Sequence, residues 1–211
     1  MKKFFLFMLV FVLAGCRSPF ISEQEAQSGD VLYETDFTRS SGSWVQTSSQ
    51  VGALGDYSGV YRILVNVPDY DLWSVAGASF TNVQLEVDAG RFGGPQENRF
   101  GLVCRYRDPQ NFYFFIISSD GYYAVGKVNA GVRSLLGQPE MTYNAAIPTG
   151  IAPNRLRFDC IGDMLAGYVN GKMIALVQDF DLAAGDVGLI AGAFDTPGVD
   201  VVFDNFVVYK P

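Results

Sequence analysis

The 211-residue chain is 49 % hydrophobic and 14 % aromatic, contains no histidine and carries a formal net charge of −7. Enough apolar residues are present for one sizeable core, which excludes a disordered chain, and the acidity excludes a nucleic-acid binder because phosphates would be repelled. Without histidine, Ser-His-Asp and Cys-His catalysis and histidine-ligated metals are also excluded.

At the N-terminus, Lys2 and Lys3 precede the apolar run Phe4 to Val12, and Leu13-Ala14-Gly15 leads into Cys16. This is the order of an export signal, with an apolar run about half the ~20 residues of a membrane-spanning helix. Leu-Ala-Gly-Cys resembles the lipobox of bacterial lipoproteins. The resemblance implies a signal peptide over residues 1–15, a diacylglyceryl group on Cys16, and attachment to the cell membrane or outer membrane. Loss of Lys2 and Lys3 with the leader moves the net charge from −7 to about −9, so acyl chains rather than lipid charge would hold the protein. Residues 16–30, including the polar RSPFISEQEAQSGD, read as the lipidated N-terminus and a flexible tether, and residues 31–211 as one domain. A lipidated Cys16 leaves Cys104 and Cys160 as an even pair in an oxidising compartment, where a disulfide is favoured over two free thiols.

From Val31 onward the chain reads as short strands separated by turn signals. VQLEVDA places Val83, Leu85, Val87 and Ala89 on one face and Gln84, Glu86 and Asp88 on the other. RFGLVCRYR continues the alternation, with Phe100, Leu102, Cys104 and Tyr106 inward. A four-residue loop, Asp108 to Asn111, then turns the chain so that Tyr113, Phe115 and Ile117 join the same face. Across a loop with Asp120-Gly121, taken as two or four residues long, Tyr122, Ala124 and Gly126 are expected inward. That leaves Phe112, Phe114, Ile116, Tyr123 and Val125 outward, beside Arg105, Arg107 and Lys127.

After a loop-rich stretch from Val128 to Pro153, RLRFDCI turns at Gly162-Asp163 into MLAGYV, and Asn170-Gly171 is a type I′ hairpin signal. Leu156, Phe158, Cys160, Leu165 and Val169 point inward. GDVGLIAGA and VDVVFDNFVVY close the chain, and the many antiparallel hairpins with one long crossover indicate an all-β, two-sheet antiparallel sandwich.

The stretches RFGLVCRYRDPQNFYFFIISSDGYYAVGKV, NRLRFDCIGDMLAGYVNGKMIA and GDVGLIAGAFDTPGVDVVFDNFVVY, in this order, resemble the concanavalin A-like or laminin G-like jelly roll of bacterial envelope proteins. The branch with the 3-keto-disaccharide hydrolase domain is the nearest in appearance. The likeness spans about Val31 to Tyr209 and implies a scaffold used mainly for carbohydrate binding and glycan cleavage, without specifying an active site.

The outward Arg105, Arg107, Phe112, Phe114 and Tyr123 form the candidate ligand surface, because rings stack on the apolar side of sugars and guanidinium groups bind hydroxyls or carboxylates. The alternative is a sheet face covered by the Val128 to Pro153 stretch. Trp73, in the loop-like DYDLW, is a candidate stacking platform, and it and Trp44 are equally candidates for packing. Glu86 and Asp88 resemble part of the E-x-D-x-E strand of retaining glycoside hydrolases in this superfamily, with Gly90 in place of the third acid. Otherwise they are a polar strand face neutralised by Arg99 or Arg105. Asp195, Asp200 and Asp204 are oxygen donors of a type suited to Ca2+, with no recognisable loop spacing. The leading function is a lipid-anchored envelope protein that binds a glycan or another envelope component without catalysis. A glycan-active hydrolase of the keto-disaccharide type and a structural or protein-interaction lipoprotein are the alternatives.

Overall fold

The computed structural model describes residues 22–39 and 44–211, so the signal peptide and the lipidation site Cys16 lie outside the described residues. The strands are β1 (Val31–Thr35), β2 (Thr47–Ser48), β3 (Gly52–Tyr57), β4 (Val60–Val65), β5 (Tyr70–Phe80), β6 (Val83–Gly93), β7 (Asn98–Asp108), β8 (Asn111–Ile117), β9 (Tyr122–Asn129), β10 (Val132–Leu135), β11 (Thr142–Tyr143), β12 (Asn154–Ile161), β13 (Met164–Val169), β14 (Lys172–Gln178), β15 (Gly185–Ala193) and β16 (Val199–Tyr209). They form two antiparallel sheets. One has the order β14-β13-β12-β6-β16-β4-β3-β2 with β1 on β16, and the other β10-β9-β8-β7-β15-β5 with β11 on β9.

The pleat puts alternate residues on opposite sides, and the inward set fills the space between the sheets. Val83, Leu85, Val87 and Ala89 are buried as expected, and Phe100, Leu102, Phe115, Phe158, Phe203 and Phe206 meet them from both layers. Gly162-Asp163 joins Ile161 to its partner Met164, and Asn170 (φ 51°) with Gly171 (φ 80°) makes the left-handed pair that a type I′ turn requires. Cys104 on β7 and Cys160 on β12 form a disulfide that ties one sheet to the other across the core. With its ends separated by 56 positions in sequence, this closure contributes about 4 kcal/mol by the chain-entropy relation.

Two local features overturn the expected side-chain directions on β7 and β9. Arg105 has φ 51°, and the pairing steps from Cys104↔Tyr113 to Asp108↔Asn111, so three residues oppose Phe112 alone. This bulge turns Tyr106 outward and Arg105 inward. The buried Arg105 donates to the carbonyls of Leu182 (2.8 Å), Gly162 (2.6 Å) and Thr81 (3.3 Å), binding three connections at one end of the sandwich. Because Asp108 pairs with Asn111, the loop there is two residues rather than four.

The second feature is the β8–β9 turn. Ser118 N donates to Tyr122 O (2.8 Å), leaving three residues at the tip with Gly121 at φ 100°. An odd count reverses parity. Val125 and Tyr123 therefore pack on the main core, Ala124 lies on the outer side, and Tyr122 is exposed against Tyr143.

Ser22 to Asp30, assigned by composition to the tether, docks on the domain instead. Glu23 accepts from the amides of Thr81 (2.9 Å) and Asn82 (3.0 Å), and Gly29 N donates to Lys210 O (2.8 Å). The acceptor pattern of one carboxylate on two turn amides explains why a polar segment stays attached.

A partly buried network of charges lies where β8 and β9 meet the β14–β15 connection. Tyr113 donates to Asp179 (2.5 Å), and Lys127 bridges Asp179 (2.5 Å) and Asp181 (2.6 Å). Burial, aided by the Asp179 acceptor, pushes the Tyr113 phenol up to about 12, so it remains a donor. Burial opposes ionisation of Asp179, but the hydrogen bonds from Lys127 and Tyr113 outweigh it and hold the carboxyl below the usual range. A lowered carboxyl stabilises the fold above its unfolded value, and that contribution disappears as pH falls through the folded value. Asp179→Asn is therefore expected to narrow the difference between the urea midpoints measured at neutral pH and in acid. Phe114 is fully buried on the outer side of β8, so Phe114→Ala is expected to lower the unfolding free energy by about 3–5 kcal/mol in the same assay.

Candidate functional site

The seven-stranded sheet is apolar on both faces. Beyond the main core, Val103, Phe112, Phe114, Ile116, Ala124 and Ile190 form a second buried cluster on its outer side. Such a face requires a cover. Part of that cover is Trp73, which lies on β5 opposite Ile190 and 5.5 Å from Phe112, with Tyr106 at 5.7 Å on the other flank. The remainder is the segment from β10 to Met141, whose Leu135 and Met141 pack on the same cluster. Gln138 ties this segment down by donating to Tyr123 O (2.9 Å).

The cover stops short of the end of the sheet where β7 and β8 meet at Phe100 and Ile117. There an open depression of about 690 Å³ remains, floored by Ile116 and walled by Leu135, Met141 and Phe194. Two arginines line it, Arg99 and Arg133, and both are held from behind by Asp71 on β5. Asp71 accepts from Arg99 Nε (2.6 Å) through one oxygen and from Arg133 Nη1 through the other. The Arg99 guanidinium lies 4.5 Å over the Phe194 ring, and the Arg133 guanidinium 4.6 Å over Phe114. A carboxylate and a ring face fix each cation from two directions, so little rotamer freedom remains to be lost on binding.

Gly192, paired with both Asp71 and Arg99, makes room for this arrangement. A Cβ there would lie 1.8 Å from Asp71 Oδ1 and 2.7 Å from Arg99 Nε. The Nη1 and Nη2 groups of Arg99, and Nε and Nη2 of Arg133, make no hydrogen bond to any described residue. Arg99 is nearly buried and Arg133 about one-third exposed, so the depression presents planar donors beside apolar walls. Asp69 and Glu140 add acceptors at its rim.

Of the candidate ligand residues, Phe114, Phe112 and Trp73 are brought together, but as the support of this surface rather than its contact layer. Trp73 belongs to β5 and not to a loop. Tyr123 faces the main core. Arg105 is buried at the far end, and Arg107, with its Nε 3.4 Å from Ala184 O, lies at that end too. Trp44 is a core residue whose indole donates to Tyr33 OH (2.8 Å).

Glu86 and Asp88 lie on the outer face of the other sheet, on the opposite side of the molecule from the depression. Arg155 holds both, at 2.9 and 3.3 Å, where Arg99 or Arg105 had been expected. Gln84 also donates to Glu86 and Asn205 to Asp88. Asp200 is bound in bidentate fashion by Arg62 (2.7 and 2.6 Å), and no group of three or more acids converges on a metal-sized site among the described residues. Arg99, Arg133, Asp71 and Phe194 were not selected from the sequence. Arg99 alone had a signal, its outward position in the β7 alternation.

No family model matches the chain, and no curated protein matches it. Solved structures do. The carbohydrate binding module CBM66 from Bacillus subtilis aligns over 79 % of this chain and 95 % of its own, at TM-score 0.64 and 18 % identity. A Bacillus subtilis protein of unknown function with a galectin-like fold aligns over 87 % and 97 %, at TM-score 0.63 and 13 % identity. A Bacillus licheniformis beta-glucanase aligns over 88 % and 100 %, at TM-score 0.59 and 11 % identity. At these identities the likeness is one of fold, and the chain is a jelly-roll β-sandwich.

Proposed function

We propose that the protein is an exported lipoprotein, anchored through Cys16, whose jelly-roll domain binds a glycan without catalysis in the Arg99–Arg133 depression. The observation that carries the binding reading is the pair of guanidinium groups held by Asp71 and stacked on Phe194 and Phe114, both lining an apolar-walled hollow and each keeping donors that no described residue occupies. A pyranose ring offers one apolar face and a rim of hydroxyls, and this combination of wall and donors complements both. Structures of the same fold include a carbohydrate binding module and a beta-glucanase, which supports a glycan as the ligand class. The anchor reading is supported by the basic, apolar and lipobox segments in sequence and by a disulfide that suits an oxidising compartment.

Hydrolysis is the alternative reading, and Asp69 and Glu140 at the rim of the depression are the observation that would favour it. One experiment addresses both. The purified chain is screened on an array of envelope and plant-type glycans, then titrated with the best binder while reducing-sugar release is followed. Arg133→Ala and Gly192→Ala are each expected to weaken binding about tenfold or more, from loss of one charged hydrogen bond or displacement of the Asp71–Arg99 pair. Phe92→Ala, on the opposite sheet, is expected to leave binding unchanged. Retained binding in Arg133→Ala would refute the assignment, and sugar release abolished by Glu140→Gln would replace binding with hydrolysis.

A further inference from the structure

The docked N-terminal segment joins the sandwich at one definite end. Ser22 follows Cys16 by six residues, so the described chain begins at most ~20 Å from the lipidated cysteine. Glu23 then clamps to the β5–β6 turn at Thr81 and Asn82. That turn adjoins the β12–β13 turn, because Gly162 N donates to Asn82 (2.7 Å), and Arg105 joins both to Leu182. All of these groups occupy one end of the molecule. The depression lies at the other: β5 runs eleven residues from Tyr70 beside it to Phe80 beside the clamp, about 34 Å at ~3.4 Å per step.

The two ends differ in what they expose. At the clamped end Phe180 is 74 % exposed, Val132 68 % and Ile161 39 %, all without a polar atom in the side chain. At the depression end the exposed large residues are three tyrosines, Tyr70, Tyr122 and Tyr143, together with Ile151 and, near the end of β6, Phe92. The charged side chains at the clamped end, Glu23, Asp108, Asp163, Asp179 and Asp181 against Arg107, Lys127 and Lys210, give no excess of positive charge for anionic lipid.

The geometry points to the clamped end as a bilayer-apposed surface, in which Phe180, with Val132 and Ile161 around it, enters the headgroup region of a zwitterionic membrane and the glycan depression faces away. The short lipid-proximal chain makes this contact effectively intramolecular, so three modest apolar side chains suffice to orient a domain that would not bind lipid alone. This inference rests on the anchor reading.

The test uses the full chain purified in its processed form and reconstituted in phosphatidylcholine vesicles with brominated acyl chains. Phe180→Trp and Tyr143→Trp are compared with the wild-type background of Trp44 and Trp73, and the mass of the N-terminal peptide is measured in parallel. With Cys16 acylated, the added emission of Phe180→Trp is expected to be largely quenched and that of Tyr143→Trp retained. An acylated protein in which Phe180→Trp is unquenched, or Tyr143→Trp is quenched as strongly, overturns the proposed surface and leaves the anchor standing. An unmodified Cys16 overturns both.

Discussion

A sheet that is apolar on both faces cannot leave either face in water, and the rest of this structure follows from that requirement. The inner face of the seven-stranded sheet is met by the nine-stranded one, the ordinary solution for a β-sandwich. The outer face, built on Phe112, Phe114 and Ile116, has no third layer, so the chain folds its own β10–Met141 segment back over it. That segment covers the rings and ends before the sheet does, which leaves the depression as the uncovered part of an otherwise closed surface.

Charge placement follows the same logic. Two guanidinium groups beside an apolar face would be costly to desolvate without partners. Here one carboxylate serves both, and each cation also rests on a ring, so the group is held in place while part of its donor set stays unused. Arg105 solves a similar problem differently. It is buried without an acid partner within bonding distance, its charge facing three backbone carbonyls at the end of the sandwich, and burial lowers its proton affinity from the ordinary guanidinium value. The first arrangement leaves donors open to a ligand; the second closes connections and leaves little exposed.

Much of the fold was legible because strand alternation and tight turns leave direct marks in sequence. VQLEVDA can bury only one set of side chains, and Asn170-Gly171 supplies the left-handed pair that its turn demands. The bulge at Arg105 left no such mark: a non-glycine residue at φ 51° is held by distant carbonyls on three connections, which local pattern does not record. In the β8–β9 turn the glycine was visible but the loop length was not, and one residue more or less exchanges the two faces of the following strand. The same two features account for the misplacement of Arg105 and Tyr123 in the candidate surface. Asp71, Arg99 and Arg133 come from three strands whose adjacency depends on the order β5-β15-β7 and on the folded-back segment, so their convergence is a property of topology rather than of any motif.

The central claim is that the uncovered end of the seven-stranded sheet is where ligand sits. Hydroxyl-radical footprinting of the protein, with and without a glycan ligand, tests it most directly. Protection of Met141 and Phe194, with Tyr57 and Phe92 on the other sheet unchanged, is the expected result. Protection confined to Tyr57 and Phe92, with Met141 and Phe194 oxidised as before, would contradict it.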